Sequence, residues 1–300
     1  MRPLSIVRPV LAALALAIGA PVAGHAQTSA PPPPSSPPAV GMVQQPCAPG
    51  ASGRSPAMET FARAMVQDGP IDPTAMRGYA REAAENGKAD EVRLKNDWAD
   101  LCRYRAANEA LKPGEAKVVF IGNSITELWR AADPELFTNG VVDRGVSGQT
   151  SGQTLLRFYP DVVALHPRVV HIMVGTNDVA GNNGPSRPED LKNNVRAMVD
   201  IAKAHHIAVI LASITPASSF SWRKELHPAA QIVALNAWLS DFARQEGLTY
   251  ADYYRVLVGP DGGMMPGKSR DGVHPLVSGY ALMKPLAQAA IAKSMAASKR

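Results

Sequence analysis

Five short apolar runs recur between Lys117 and Tyr254, and the stretches that separate them have helical periodicity. This alternation limits the chain to one class of fold. The runs are 117–122 (KVVFIG), 141–145 (VVDRG), 168–175 (RVVHIMVG), 207–214 (IAVILASI) and 248–254 (LTYADYY). Helical segments are predicted at about 125–132, 152–165, 188–205, 228–246 and 277–297. Short runs rich in Val and Ile, bounded by turn residues, read as strands buried on both faces. Strands that alternate with helices at this spacing form βαβ units and a parallel sheet. With right-handed crossovers, the simplest arrangement is an α/β fold, a three-layer αβα sandwich around a parallel five-stranded sheet.

Three different segments precede this region. Residues 1–26 carry Arg2 and Arg8, then an apolar stretch, then Gly24-His25-Ala26, the pattern of a secretory signal peptide. The apolar stretch is too short to span a bilayer and Pro21 interrupts it, so no stable membrane anchor is expected. Residues 27–56 are rich in Pro and Ser, including PPPPSSPP, and read as an extended linker. Residues 57–112 turn helical, over 58–67, 73–88 and 89–111, with Val92, Trp98, Leu101, Cys102 and Tyr104 on or near one face of the last. This helical extension is expected to act as a structural brace on the main domain, residues 113–300. In an exported chain, the only two cysteines, Cys47 and Cys102, are expected to form a disulfide.

In an open parallel sheet, ligands bind beyond the carboxyl ends of the strands. Ser124 follows the first run, Gly145 and Gly148 the second, and Asn177 and Asp178 the third; Asp271 and His274 precede the last helix. These are the parts of an acyl-transfer site. A serine needs a base within hydrogen-bond reach, and histidine suits that role. The base needs an orienting partner, and Asp271 lies three residues before His274. The tetrahedral intermediate needs uncharged donors, which a glycine N–H and an asparagine amide supply. Taken alone, Ser124 also fits a helix cap, since Glu127 completes an S-x-x-E capping box. If Ser124 is the nucleophile, its hydroxyl should face His274 rather than Glu127.

The blocks GNSIT, RGVSGQT, GTND and DGVHP occur in the order found in the SGNH hydrolases, the GDSL-type esterases and lipases, which residues 115–297 resemble. The resemblance implies a flavodoxin-like sandwich and serine esterase chemistry. It makes Ser124 the nucleophile, His274 the base and Asp271 its orienter. It implies an oxyanion hole of Ser124 N–H, Gly148 N–H and the Asn177 side chain, and no metal or organic cofactor. Two positions depart from the usual blocks: Asn123 stands where an aspartate is usual, and Asp143 where an asparagine is common. This suggests a hydrogen bond between Asn123 and Asp143.

The formal charge of +5 falls to +3 without Arg2 and Arg8, and no dense basic cluster interleaved with aromatics occurs, so nucleic acid is not an expected partner. The resemblance points to short acyl esters, acetyl groups on carbohydrates among them. The alternatives are a lysophospholipase or thioesterase acting on longer chains and a non-catalytic glycan-binding module. Trp222, Arg223, Met264 and Met265 fit a substrate pocket and fit loop packing equally well. His171 is expected in the core. His205 and His206 end a helix without acidic or cysteine partners at metal-ligand spacing. The sequence carries no signal of an oligomeric state.

Overall fold

The computed structural model describes residues 41–47 and 53–298. The signal segment 1–26 and most of the linker lie outside the described residues. The chain divides into two units, Met1–Gln45 and Pro46–Arg300. In the first, residues 41–45 contain no helix or strand.

The second unit begins with three helices: α1 (Pro56–Val66), α2 (Pro73–Asn96) and α3 (Arg105–Glu109). The αβ region then runs β1 (Val118–Gly122), α4 (Ser124–Ala132), β2 (Val141–Gly145), α5 (Ser151–Asp161), β3 (Val169–Met173), α6 (Thr176–Val179) and α7 (Pro188–Ala204). It continues through β4 (Ala208–Ala212), α8 (Ala229–Gln245), β5 (Thr249–Ala251), α9 (Tyr254–Leu257) and α10 (Val277–Ala297). Each strand lies inside the run predicted for it. The fifth is the most shortened, because the backbone turns into α9 at Tyr254.

The five strands are parallel in the order β2-β1-β3-β4-β5, the flavodoxin-like order. All residues of β1 and β3 are buried, which explains why His171 is their only polar side chain. On one face, Val119, Ile121 and Ile172 pack with Phe158 of α5, Val195 and Met198 of α7 and Leu235 and Leu239 of α8. On the other, Phe120 and Met173 pack with Ile125 and Trp129 of α4 and Tyr280 and Met283 of α10. Fully burying one such large apolar side chain contributes roughly 1.5–3 kcal/mol, so the two layers together hold the sheet between them. His171 is buried in the second layer, stacked on Phe120 at 4.1 Å, with Nε2 2.9 Å from the Tyr253 hydroxyl. Burial lowers its pKa to about 3, so the imidazole is neutral at physiological pH.

The N-terminal part differs from its prediction in two ways. The compact unit starts at Pro46, inside the predicted linker, because the Cys47–Cys102 disulfide ties that stretch down. And α2 runs without a break to Asn96, whereas the helix expected through Trp98 and Cys102 is absent. There the Asp97 carboxylate accepts the N–H groups of Leu101 at 2.7 Å and Cys102 at 2.9 Å, replacing helical bonds with a side-chain turn. Val92 and Trp98 are 60% and 49% exposed while Cys102 is buried, so the three do not share one helix face. Among the described residues, no helix is long and apolar enough to cross a membrane.

Candidate active site

β1 and β3 are neighbours, while β2 lies on the far side of β1, so the strand order reverses between β1 and β3. The loops leaving β1, β2 and β3 converge at this switch point. At the end of β1, Asn123 adopts extended backbone and its side-chain oxygen accepts the Ile125 N–H at 3.0 Å. Asparagine is as good a helix cap as serine. Asn123 is thus the cap of α4 and Ser124 its first residue, contrary to the capping-box possibility. The Ser124 hydroxyl lies 2.8 Å from Nε2 of His274.

His274 Nδ1 lies 2.6 Å from Oδ2 of Asp271. The other carboxylate oxygen accepts the N–H groups of Val273 at 3.0 Å and His274 at 2.9 Å, and the Ser269 hydroxyl at 3.1 Å. Burial alone would raise the Asp271 pKa. The hydrogen bond and charge of His274, with the two backbone N–H groups, outweigh burial and hold it well below the usual carboxylate range. An ionised Asp271 accepts Nδ1–H and leaves Nε2 free to accept the serine proton.

The loop after β2 carries Gly148, whose φ of +79° is a conformation that favours glycine. The loop is held from β3's end: Asn177 Nδ2 donates to the Gln149 carbonyl at 2.8 Å, and its Oδ1 accepts from Asn182 at 2.7 Å. Asp178 accepts the Ser151 N–H at 3.0 and 3.1 Å and the Ser151 hydroxyl, and so anchors the first residue of α5, whose cap is Thr150. Arg157, fully buried, pairs with Asp161 and donates to Gln149 Oε1 at 2.7 Å from beneath. Among the described residues, neither the Ser124 nor the Gly148 N–H donates to a protein acceptor. Both belong to the cavity wall together with Asn177.

The cavity at this point is about 590 Å³. Ser124, His274, Gly148 and Asn177 line it, together with residues of the N-terminal helices that carry no local sequence signal. Met58, Phe61, Ala62 and Met65 of α1 and Tyr79 of α2 form an apolar wall, with Phe61 stacked on Tyr79 at 4.2 Å. Asn182, Asn183 and Trp222 form a polar rim, Trp222 Nε1 donating to Asn182 at 2.9 Å. Of the four tentative pocket residues, only Trp222 lines the cavity. Arg223 instead ties loops together through the Gly181 carbonyl at 3.1 Å. Met264 packs against the core, and the Met265 N–H donates to the Leu257 carbonyl at 2.7 Å.

The expected bond between Asn123 and Asp143 is not made. Asp143 pairs with Phe120 across the ladder, three positions before Asn123, or roughly 10 Å along the strand. Its Oδ1 instead accepts the Gly145 N–H at 2.8 Å. Burial, the largest influence, raises its pKa to about 6 against the bond from Gly145 and the charge of Arg54.

A model of the GDSL-like lipase/acylhydrolase family matches residues 120–282. A candidate acylhydrolase from Bacteroides fragilis is 42% identical, with a TM-score of 0.64 over 66% of this chain and 98% of its own. A GDSL-like lipase from Bacteroides thetaiotaomicron is also 42% identical, with a TM-score of 0.63 over 65% of this chain and 98% of its own. No curated protein matches the sequence.

Proposed function

Since the chain belongs to the GDSL-like lipase/acylhydrolase family and is an ester hydrolase, we propose that it works as a serine esterase through Ser124, His274 and Asp271. The observation that carries this proposal is the continuous hydrogen-bonded path from Ser124 Oγ through both ring nitrogens of His274 to Asp271. Ser124 Oγ attacks the ester carbonyl carbon while its proton passes to Nε2. Asp271 stabilises the imidazolium that forms. The carbonyl oxygen becomes an oxyanion that accepts hydrogen bonds from Ser124 N–H, Gly148 N–H and Asn177 Nδ2. Collapse breaks the bond to the alcohol oxygen, which takes the proton from Nε2. Water then attacks the acyl-serine by the same path and releases the acid.

The substrate in this proposal is a short acyl ester, with acetyl foremost. A small acyl group would sit against Leu128 and Val273 beside the serine, and the alcohol portion, a sugar or an aryl ring, would fill the remaining cavity. Trp222, Asn182 and Asn183 offer one flat and two hydrogen-bonding surfaces for such a group. The apolar wall of Met58, Phe61, Ala62 and Met65 favours a second reading, a longer acyl chain. Export to an oxidising compartment belongs to the proposal as well, supported by the signal-like residues 1–26 and the Cys47–Cys102 disulfide.

A series of p-nitrophenyl esters from acetate to palmitate separates the two substrates. Acetate is expected to give the highest kcat/KM, and Ser124→Ala is expected to lose about 10⁴-fold or more in kcat. A maximum at long chains would move the assignment to the second reading, and turnover by Ser124→Ala would remove the serine mechanism. Mass spectrometry of the exported protein should find a chain beginning at Gln27.

A further inference from the structure

Glu127 is one helical turn beyond Ser124 on α4, and an i, i+3 spacing puts both on the cavity side of the helix. Its carboxylate is buried and accepts four hydrogen bonds. One oxygen accepts Nε of Arg54 at 2.9 Å and Nη2 of Arg103 at 2.7 Å. The other accepts the Ser147 N–H at 2.7 Å and the Ser147 hydroxyl. Ser147 is the residue before Gly148. Burial would push the Glu127 carboxyl up, but the charges of Arg54 and Arg103 and the bond from Ser147 outweigh it and keep the group ionised.

The two arginines come from outside the αβ region, and the chain holds them as a pair. Arg54 precedes α1, and its Nη2 also donates to the Glu127 carbonyl at 2.7 Å. Arg103 is next to the disulfide-bonded Cys102. Gly53 N–H donates to the Arg103 carbonyl at 3.0 Å, and Arg103 Nη1 donates back to the Gly53 carbonyl. Tyr104 then donates to the Gly145 carbonyl at 2.5 Å, so the same segment grips the β2 loop at a second point. α4 itself lies close against the end of β2: a Cβ on Gly145 would lie 2.2 Å from the Glu127 nitrogen.

We propose that Glu127 is a positioning residue for the oxyanion hole. Fixed by Arg54 and Arg103, it holds Ser147 by its N–H and its hydroxyl, and so sets the start of the next peptide, which carries the Gly148 N–H; the N-terminal segment is thereby part of the catalytic unit. This rests on the proposed serine mechanism, in which the Gly148 N–H is a donor. Charge-assisted bonds are short and directional, so a carboxylate with all four positions taken leaves the Ser147 N–H one orientation. An oxyanion-hole donor stabilises the transition state more than the ground state. Its misplacement therefore lowers kcat and leaves KM nearly unchanged, whereas loss of a mere brace lowers thermal stability alone.

The test uses the full chain and the variant Glu127→Gln, whose amide would turn an N–H₂ toward either the arginines or Ser147. With p-nitrophenyl acetate, kcat is expected to fall roughly 10- to 100-fold, less than the loss of a whole donor, with KM changed by less than about threefold. Affinity for phenylboronic acid, whose serine adduct places an anionic tetrahedral centre at the hole, should fall in proportion to kcat. Amide hydrogen exchange at the Ser147 N–H, which Glu127 accepts, should speed up while the sheet keeps its protection. Arg54→Lys, which cannot make the Nε and Nη2 bonds together, should show the same changes on a smaller scale and stands in if Glu127→Gln does not fold. Folded variants with kcat, boronate affinity and exchange all within about twofold of the parent would overturn the proposal. If the parent itself hydrolyses no ester, the serine mechanism fails separately and exchange decides: faster exchange supports positioning by Glu127, and unchanged exchange overturns it.

Discussion

A hydroxyl that caps a helix is committed to backbone N–H groups and is a poorer nucleophile, and the chain avoids this by putting Asn123 at the cap. Asn123 thereby replaces the usual aspartate without cost to the cap, since either side chain presents an oxygen to the Ile125 N–H. Asp143 is the more consequential departure. Its pKa near 6, raised by burial, means that the native state holds this proton more tightly than the unfolded chain does. Such a group makes no difference below about pH 4, where both states are protonated, and lowers stability as pH rises through 4 to 6. Above pH 6 the cost is constant, at most about 3 kcal/mol for two pKa units. An asparagine at this position would keep an oxygen for the Gly145 N–H and carry no charge. Asp143→Asn is therefore expected to be more stable than the parent at pH 7 by about 1–3 kcal/mol relative to the same difference at pH 4. His171 works in the opposite sense: its lowered pKa costs stability as pH falls from 6.5 towards 3. It is present in both proteins and cancels. Urea titrations at the two pH values give the comparison, and an equal difference at both would refute the Asp143 assignment.

At the scale of elements, the strands and the helices between them were legible because one period governs each. β1 and β4 are unbroken apolar runs, β3 is one apart from His171, and α7 and α8 begin and end within one residue of their predicted bounds. The blocks after β1, β2 and β3 were legible because a parallel sheet brings all its carboxyl ends to one edge, and DGVHP was legible as the entry to α10. The N-terminal helices were legible as helices but not in their purpose. Arg54 and Arg103 reach Glu127 across 73 and 24 residues, and such pairings leave no local period to read. The S-x-x-E pattern drew attention to Glu127 but suggested a capping role, because a cap is the only partner available within four residues. Asp97 broke the helix expected through Cys102 by the same local competition that favours caps. The disulfide compensates, tying that irregular turn to Cys47 across 55 residues. On the chain-entropy model it contributes about 4 kcal/mol. Replacing both cysteines by serine should lower unfolding stability by up to about that amount in a denaturant titration, and by more than about 1 kcal/mol in any case. It should also lower kcat at temperatures where the variant is folded, because Arg54 and Arg103 are no longer held as a pair. Unchanged stability and unchanged kcat would mean that the hydrogen bonds between Gly53 and Arg103 suffice.

At the scale of the molecule, the proposed role of Glu127 makes the catalytic unit larger than the family domain. The family match spans residues 120–282, yet Met58, Phe61, Ala62 and Met65 of α1 and Tyr79 of α2 line the cavity as well. Ala62 and Val66 of α1 belong to the same buried cluster as Leu128 and Trp129, which lie just over one turn past Ser124. A chain beginning at Pro113 would expose that cluster and leave Glu127 buried without its arginines. Breaking a buried ion pair from one side costs about 3–5 kcal/mol, and uncovering several apolar side chains adds about 1.5–3 kcal/mol for each. Those sums approach the whole stability of an ordinary domain. A chain beginning at Pro46 removes none of these contacts, since Arg54, Arg103 and the disulfide all remain. The 46–300 chain is therefore expected to match the parent in urea midpoint and in kcat for p-nitrophenyl acetate. The 113–300 chain should be recovered unfolded, or folded with kcat reduced at least tenfold, roughly the effect expected for misplacing the Gly148 donor. If 113–300 folds and turns over at the parent rate, α1 and α2 are a cover rather than part of the machinery, and the apolar wall would then act only on KM.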